Sequence, residues 1–249
     1  MTKKTADQYN DPSHNYLKYW DGREYEHAAE EVAIRRMLKG KHFNKIVDVG
    51  GGYGRICPVL KEYADQVTLA EPSQQQLDIA KDFLKDKKGI DMVLAQADAL
   101  PFKDASIDLI TVVRVIHHIP DPTEEFAEIA RVLKPGGYLF IEFANYANFK
   151  NRIKYASKLK RIPREPVDIR KDMTSNIPFV NHNPHTVRKQ LAHSGMQVER
   201  ILSVSNLRSP SLKKFLPKSA LLTVEKAMQI PLARTFFGPS TVYLLKKRG

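Results

Sequence analysis

Asp48, Glu71 and Asp98 are carboxylates that each close a short apolar run, and glycines follow the first of them at 50, 51, 52 and 54. Four of the chain's 12 glycines therefore fall within five positions. Such density fits backbone that turns sharply or comes close to a ligand. The run Ile46–Val49 ahead of them reads as a strand, and a helix is expected from about 54. Strand, glycine turn and helix N-terminus together make a cradle for a nucleotide-bearing cofactor. A dinucleotide fingerprint begun at Gly50 would need glycine at 55, where the chain has Arg55. The pattern is instead Asp48-x-Gly50-x-Gly52-x-Gly54. Glu71 stands 23 residues after Asp48, a spacing from which a carboxylate accepts hydrogen bonds from ribose hydroxyls. The plainer reading of Glu71 is a solvated loop acid. Asp98, in Gln96-Ala97-Asp98-Ala99-Leu100-Pro101-Phe102, could accept from the exocyclic amine of adenine, or simply shape a turn.

The elements that must hold these residues alternate in type. Ala28, Ala29, Val32, Ala33, Ile34, Met37 and Leu38 recur at helical spacing over 22–39, and Gly40 closes that run. Strands are expected at Ile46–Val49, Val67–Ala70, Met92–Ala95, Ile107–Val113 and Tyr138–Phe143. Helices are expected between them, one capped by Ser73 and another opened by Asp121-Pro122 and stopped at Pro135-Gly136-Gly137. Five alternations of strand and helix predict a parallel, doubly wound α/β sheet. Beyond Phe143 the rhythm breaks. Residues 145–182 read as a basic, irregular insertion with a helix near 147–160. Asn183-Pro184 opens a further helix, and Val198–Val204 and Val242–Leu245 read as strands six and seven. Between these two strands lies a second basic insertion, 205–238, punctuated by Pro210, Pro217 and Pro231.

The ordered series Val47-Asp48-Val49-Gly50-Gly51-Gly52-Tyr53-Gly54, Glu71-Pro72-Ser73, Asp98-Ala99-Leu100-Pro101-Phe102, His117-His118-Ile119-Pro120 and Leu133-Lys134-Pro135-Gly136-Gly137 resembles the class I S-adenosylmethionine-dependent methyltransferases. The likeness is to the branch typified by ubiquinone and menaquinone biosynthesis enzymes, and it covers about 44–144. It implies a Rossmann-like, seven-stranded, mostly parallel sheet in the order 3-2-1-4-5-7-6, with strand seven antiparallel. It also implies S-adenosyl-L-methionine as cofactor. Asp48, Gly50, Gly51 and Gly52 would hold its methionine end, Glu71 with Pro72 the ribose, and Asp98 with Ala99 the adenine. The 114–118 segment would lie near the sulfonium. His117 is the candidate general base; the alternative is that the His117-His118 pair only orients its loop. Arg114, at the end of an apolar strand, either reaches the pocket rim beside the cofactor or meets an acidic substrate group. Residues 1–40 form an N-terminal helical segment in which Tyr16, Tyr19, Trp20, Arg23 and Tyr25 either fold over the cofactor or dock the first helix. The methyltransferase domain would then be 41–249.

Charge is divided unequally. Residues 1–149 hold 19 Lys and Arg against 23 Asp and Glu, a net of −4, whereas residues 150–249 hold 21 against 5, a net of +16. A basic final hundred residues suggests an anionic partner, or only a solvated surface. Apolar side chains are mixed into the basic runs 150–171 and 208–234, which suits an anionic membrane surface or an amphiphilic small-molecule acceptor. RNA is the weaker reading, because the basic runs lack interleaved aromatics and no RNA-binding module is recognisable. A third reading is a module that binds the cofactor without turnover. The single Cys57 excludes an intrachain disulfide and a cysteine metal site, and no metal is expected. With no apolar N-terminal run and no apolar stretch near the ~20 residues of a membrane span, a cytoplasmic protein is expected.

Overall fold

The computed structural model describes residues 16–170 and 178–249. It opens with a short helix α1 (Tyr16–Tyr19) and the long α2 (Glu24–Met37), followed by β1 (Phe43–Val49). A single-turn α3 (Cys57–Leu60), β2 (Ala64–Glu71), α4 (Gln74–Leu84), β3 (Ile90–Leu94) and β4 (Ile107–Val113) come next. Then α5 (Thr123–Val132) leads into β5 (Leu133–Ala144). The helix expected from about 54 is only the four-residue α3, because the glycine turn continues to Ile56 and Lys61–Tyr63 tightens into a 3-10 turn. Pro135-Gly136-Gly137 does not separate helix from strand. It lies inside β5, where Gly136 takes a φ of +75°.

The expected topology holds. Seven strands lie in the order β3-β2-β1-β4-β5-β9-β8, where β8 (Met196–Val204) and β9 (Ser240–Lys247) are strands six and seven of the sequence reading. β9 runs antiparallel to both β5 and β8. The insertions hold more structure than their composition suggested. The first contains α6 (Phe149–Ala156) and a two-stranded ribbon of β6 (Val167–Asp168) and β7 (Val180–Asn181), and α7 (Pro184–His193) follows it. The second contains α8 (Pro210–Phe215) and the 16-residue α9 (Lys218–Ala233).

Alternating strand residues feed two cores. Ile46, Leu69, Leu109, Phe140 and Leu244 meet α2, α4 and α9 on one face. Val47, Ala70, Ile110, Ile141 and Tyr243 meet α5 and α7 on the other. Parallel strands covered on both faces are nearly all apolar, as β4 is apart from Asp108 and Thr111. Because β1, β2, β3 and β4 run parallel, their C-terminal ends share one edge of the sheet, which is where such folds bind ligands.

Candidate functional site

Asp48 sits one residue from the end of β1, paired in register with Leu69 on one side and Thr111 on the other. Thr111 Oγ1 donates to Asp48 Oδ1 at 2.7 Å, and the Cys57 thiol approaches Oδ2 at 3.7 Å. The carboxyl is fully buried beneath the glycine turn, and burial pushes its pKa up to about 6. A side chain so enclosed supports the turn from below. Asp48 is expected from sequence to hold the methionine end together with the Gly50 and Gly52 backbone; here its carboxyl lies enclosed beneath that turn.

The turn closes tightly on its neighbours. A Cβ on Gly50 would come within 2.6 Å of Val115 Cγ2, and one on Gly51 within 2.3 Å of Asp48 Oδ2. Gly50 and Gly52 also take left-handed φ of +66° and +60°. At the end of β2, Glu71 accepts from the Gly52 N–H at 2.8 Å and the Ser73 N–H at 3.0 Å. It is 3% exposed, and burial raises its pKa to about 7. Each carboxylate oxygen holds two lone pairs, so one on each remains for a diol. Pro72 leads directly to Ser73, whose hydroxyl caps α4 by accepting from the Gln76 N–H at 3.2 Å. Asp98 and Ala99 lie in a tight turn beyond β3, where the Ala99 N–H returns to the Gln96 carbonyl at 3.1 Å. Asp98 is half-buried and Ala99 exposed. Asp48 and Glu71 are thus joined through the glycine turn, and Asp98 stands on the adjacent strand connection.

The raised acid gives a pH prediction. A glutamate in an unfolded chain titrates near its ordinary value of about 4.3. Between there and about pH 7 the folded chain holds the Glu71 proton more tightly than the unfolded one. Unfolding free energy therefore falls as pH rises through this window. Replacing Glu71 by Gln removes that share, on the order of 2 kcal/mol between pH 5 and pH 7.5. Denaturant titrations of both proteins at the two pH values measure it; an equal gap at both pH values contradicts a raised Glu71.

Arg114 lies just after β4 with φ +59°, a backbone state uncommon outside glycine. Its N–H reaches Glu142 Oε2 at 3.2 Å. Its guanidinium meets Glu30 Oε1 at 2.6 Å, while Arg55 holds Glu30 Oε2 at 2.6 Å. Arg114 is thus paired inside the protein as one member of a triad with Glu30 and Arg55. Both cations lie over the Trp20 ring, Arg55 at 3.7 Å and Arg114 at 5.1 Å, and Arg55 also contacts His27 Nδ1. Trp20 in turn meets Tyr16 edge-on, and Tyr16 rests against Gly52, where a Cβ would come within 2.9 Å of its ring. Of the N-terminal aromatics, Tyr16 covers the glycine turn, whereas Tyr25 turns away and donates to Glu225 at 2.7 Å.

His117 lies in a 3-10 turn over Ile116–His118, 4.0 Å from the His118 ring and 4.5 Å from the Phe179 ring. Burial, helped by His118 and Arg114, holds its pKa well below the ordinary range. Such an imidazole takes up a proton poorly. The contacts of this turn are those of the loop-orienting alternative given beside the general-base role. The His182 Nε2–H donates to the Ile116 carbonyl at 2.8 Å and the His118 Nδ1–H to the Pro178 carbonyl at 3.1 Å, tying the turn to the first insertion. Sequence reading missed Glu30, Thr111 and Glu142. The available signal was an acid inside a helix face that otherwise reads Ala29, Ala33 and Ile34.

Residues 47–141 match the family model described as a methyltransferase domain. A ubiquinone/menaquinone biosynthesis C-methyltransferase of Shewanella piezotolerans is 35% identical over 103 residues, 39% of this chain and 41% of that protein. A ubiquinone biosynthesis O-methyltransferase of Coxiella burnetii is 34% identical over 114 residues, 45% of this chain and 47% of that protein. The chain thus spans less than half the length of these relatives. The crystal structure of an S-adenosylmethionine-dependent methyltransferase from Thermotoga maritima superposes with a TM-score of 0.61 at 20% identity, covering 94% of each chain. At that identity the likeness speaks for the fold.

Proposed function

We propose that this chain, with a methyltransferase domain over 47–141, transfers the methyl group of S-adenosylmethionine to a small acceptor of lipid-like or anionic character in the cytoplasm. The observation that carries the proposal is the glycine turn, underpinned by a buried Asp48 and gripped at Gly52 by a buried Glu71. That cradle fits the cofactor. Glycines at 50–52 let the turn pack against Val115, Asp48 and Tyr16 and leave its backbone to meet the amino-acid tail. Glu71 has acceptor capacity left for a ribose diol, and Asp98 with Ala99 would take the adenine. The cofactor, when bound, supplies an electrophilic methyl group on a sulfonium. The protein then needs chiefly to hold the acceptor in line and exclude water, an arrangement that can contribute ~7–11 kcal/mol. Tyr16, folded over Gly52, with Trp20 packed behind it, would supply the exclusion, and the Glu30–Arg55–Arg114 triad fixes Trp20 in place.

Radiolabelled S-adenosylmethionine incubated with fractionated small molecules, lipids and RNA tests this reading. Label is expected in a small-molecule or lipid fraction. Label confined to RNA would move the substrate class, and calorimetry showing no binding of S-adenosylhomocysteine would remove the proposal altogether.

A peripheral membrane contact belongs to the same reading. Among the described residues no helix is long and apolar enough to cross a membrane. Large apolar side chains are nevertheless exposed on both basic insertions: Leu159 at 98%, Phe215 at 80% and Ile153 at 55%. The insertions adjoin, since Phe149 stacks on Phe237 with centroids 4.8 Å apart. Lysines beside such residues gain about 1 kcal/mol each near an anionic surface. Sedimentation is expected with vesicles containing phosphatidylserine, and to weaken on added salt and in the Leu159→Ser, Phe215→Ser double variant. Equal sedimentation of both proteins argues against the surface.

A further inference from the structure

We infer that the side-chain amide of Gln76, in the first turn of α4, is a further ligand of the cofactor's ribose, its N–H answering a hydroxyl oxygen whose proton goes to Glu71. This deepens the methyltransferase reading and rests on it.

Ser73-Gln74-Gln75-Gln76 has the form of a capping box. In that motif the serine accepts the N–H three residues on, and the glutamine side chain returns to the serine N–H. Only half of the box forms here. Ser73 Oγ accepts the Gln76 N–H at 3.2 Å, but the Ser73 N–H is taken by Glu71 Oε1 at 3.0 Å. The donor that would ordinarily hold the Gln76 carboxamide is therefore occupied. Gln76 is 0% exposed, and among the described residues neither its Nε2 nor its Oε1 has a hydrogen-bond partner. Burial rules out a solvated surface glutamine, and a buried amide with both ends unmet costs stability.

The carboxamide lies against the cofactor cradle. Its Oε1 is 3.9 Å from where a Cβ on Gly52 would stand, and the Tyr16 ring is 2.9 Å from the same point. The Gly52 N–H in turn donates to Glu71 Oε2 at 2.8 Å. Glu71, Ser73, Gln76 and Gly52 thus follow one another around a closed ring of contacts, and the carboxamide is the group in it left unmet. A ribose diol brings two hydroxyl donors and lone pairs on both oxygens. Glu71, when ionised, can only accept, so it takes up the protons and leaves those lone pairs unanswered. The Gln76 N–H supplies the missing donor.

Gln76→Met keeps the length of the side chain and removes both polar atoms. Without ligand, the full chain carrying it should melt on the order of 4 °C above the parent, because the unmet amide is gone. At pH 8, where Glu71 is mostly ionised, calorimetry should show S-adenosylhomocysteine binding about five- to tenfold weaker in the variant. Adenosine, titrated by displacement of S-adenosylhomocysteine, should weaken by the same factor. The 2′,3′-dideoxy form of adenosine should bind parent and variant alike. A glutamine that serves the fold alone would not give higher stability together with lower affinity. A melting point below the parent's, or undiminished affinity in the variant, overturns the assignment. So does a loss confined to S-adenosylhomocysteine, which would move Gln76 to the amino-acid tail. No binding of S-adenosylhomocysteine to the parent overturns the methyltransferase reading itself, and the assignment of Gln76 with it.

Discussion

Replacing Glu30 by Gln is expected to destabilise the chain by ~3–5 kcal/mol, the usual cost of removing one partner from a buried ion pair. Glu30 is 2% exposed and bridges Arg55, at the end of the glycine turn, to Arg114, at the end of β4. Both guanidiniums are held against Trp20, and Arg55 is only 8% exposed. The neutral amide would leave two neighbouring cations to repel each other in a poorly solvated space. A chain of this length loses ~2–4 °C of Tm per kcal/mol, so a fall on the order of 10 °C should appear on a thermal melt. Glu62→Gln supplies the contrast. It breaks only the exposed pair with Arg35, and such pairs are worth ~0–1 kcal/mol. Similar melting points for the two variants would mean that the triad does not hold the site together.

The second large effect is expected at Gly51. Unlike Gly50, Gly52 and Gly54, it is not in the left-handed region, so backbone preference alone would allow alanine. The obstacle is steric. The new methyl would stand 2.3 Å from Asp48 Oδ2 and 2.6 Å from Leu69 Cδ1. Neither neighbour can retreat, since Asp48 is tied to Thr111 and Leu69 is fully buried in the core. The turn must lift away, which withdraws Gly52 from Glu71. Overpacking of this kind costs ~1–3 kcal/mol of stability. Affinity for S-adenosylhomocysteine should fall by at least about tenfold, beyond any loss of folded protein. Calorimetry on Gly51→Ala, with folding checked by circular dichroism, measures both. Undiminished affinity in a folded variant would show that the turn does not touch the cofactor.

Much of the frame was legible from residue order. Strand-length apolar runs alternating with helical ones predicted the doubly wound sheet, because hydrophobic periodicity is a local property of the chain. Ser73 and Asn183 were readable as caps for the same reason, and both accept the expected backbone N–H. α9 was not readable. Its inward face is Leu221, Glu225, Gln229 and Ala233, at a helical four-residue spacing but half polar, so no apolar stripe announces it. What keeps Glu225 inside is Tyr25, 200 positions away, together with the loop amides it caps.

The sequence by itself determined which residues could form a cofactor cradle, since glycine spacing and the acids at strand ends are written locally. It also determined the strand order, through the motifs that the chain shares with one family. Tertiary structure alone decided what each polar group does. It placed Asp48 under the turn, drew Arg114 onto Glu30, and enclosed His117 where a proton is unwelcome. These roles depend on burial and on partners distant in the chain. Free energies of charged groups are set by such surroundings, which no reading along the backbone contains.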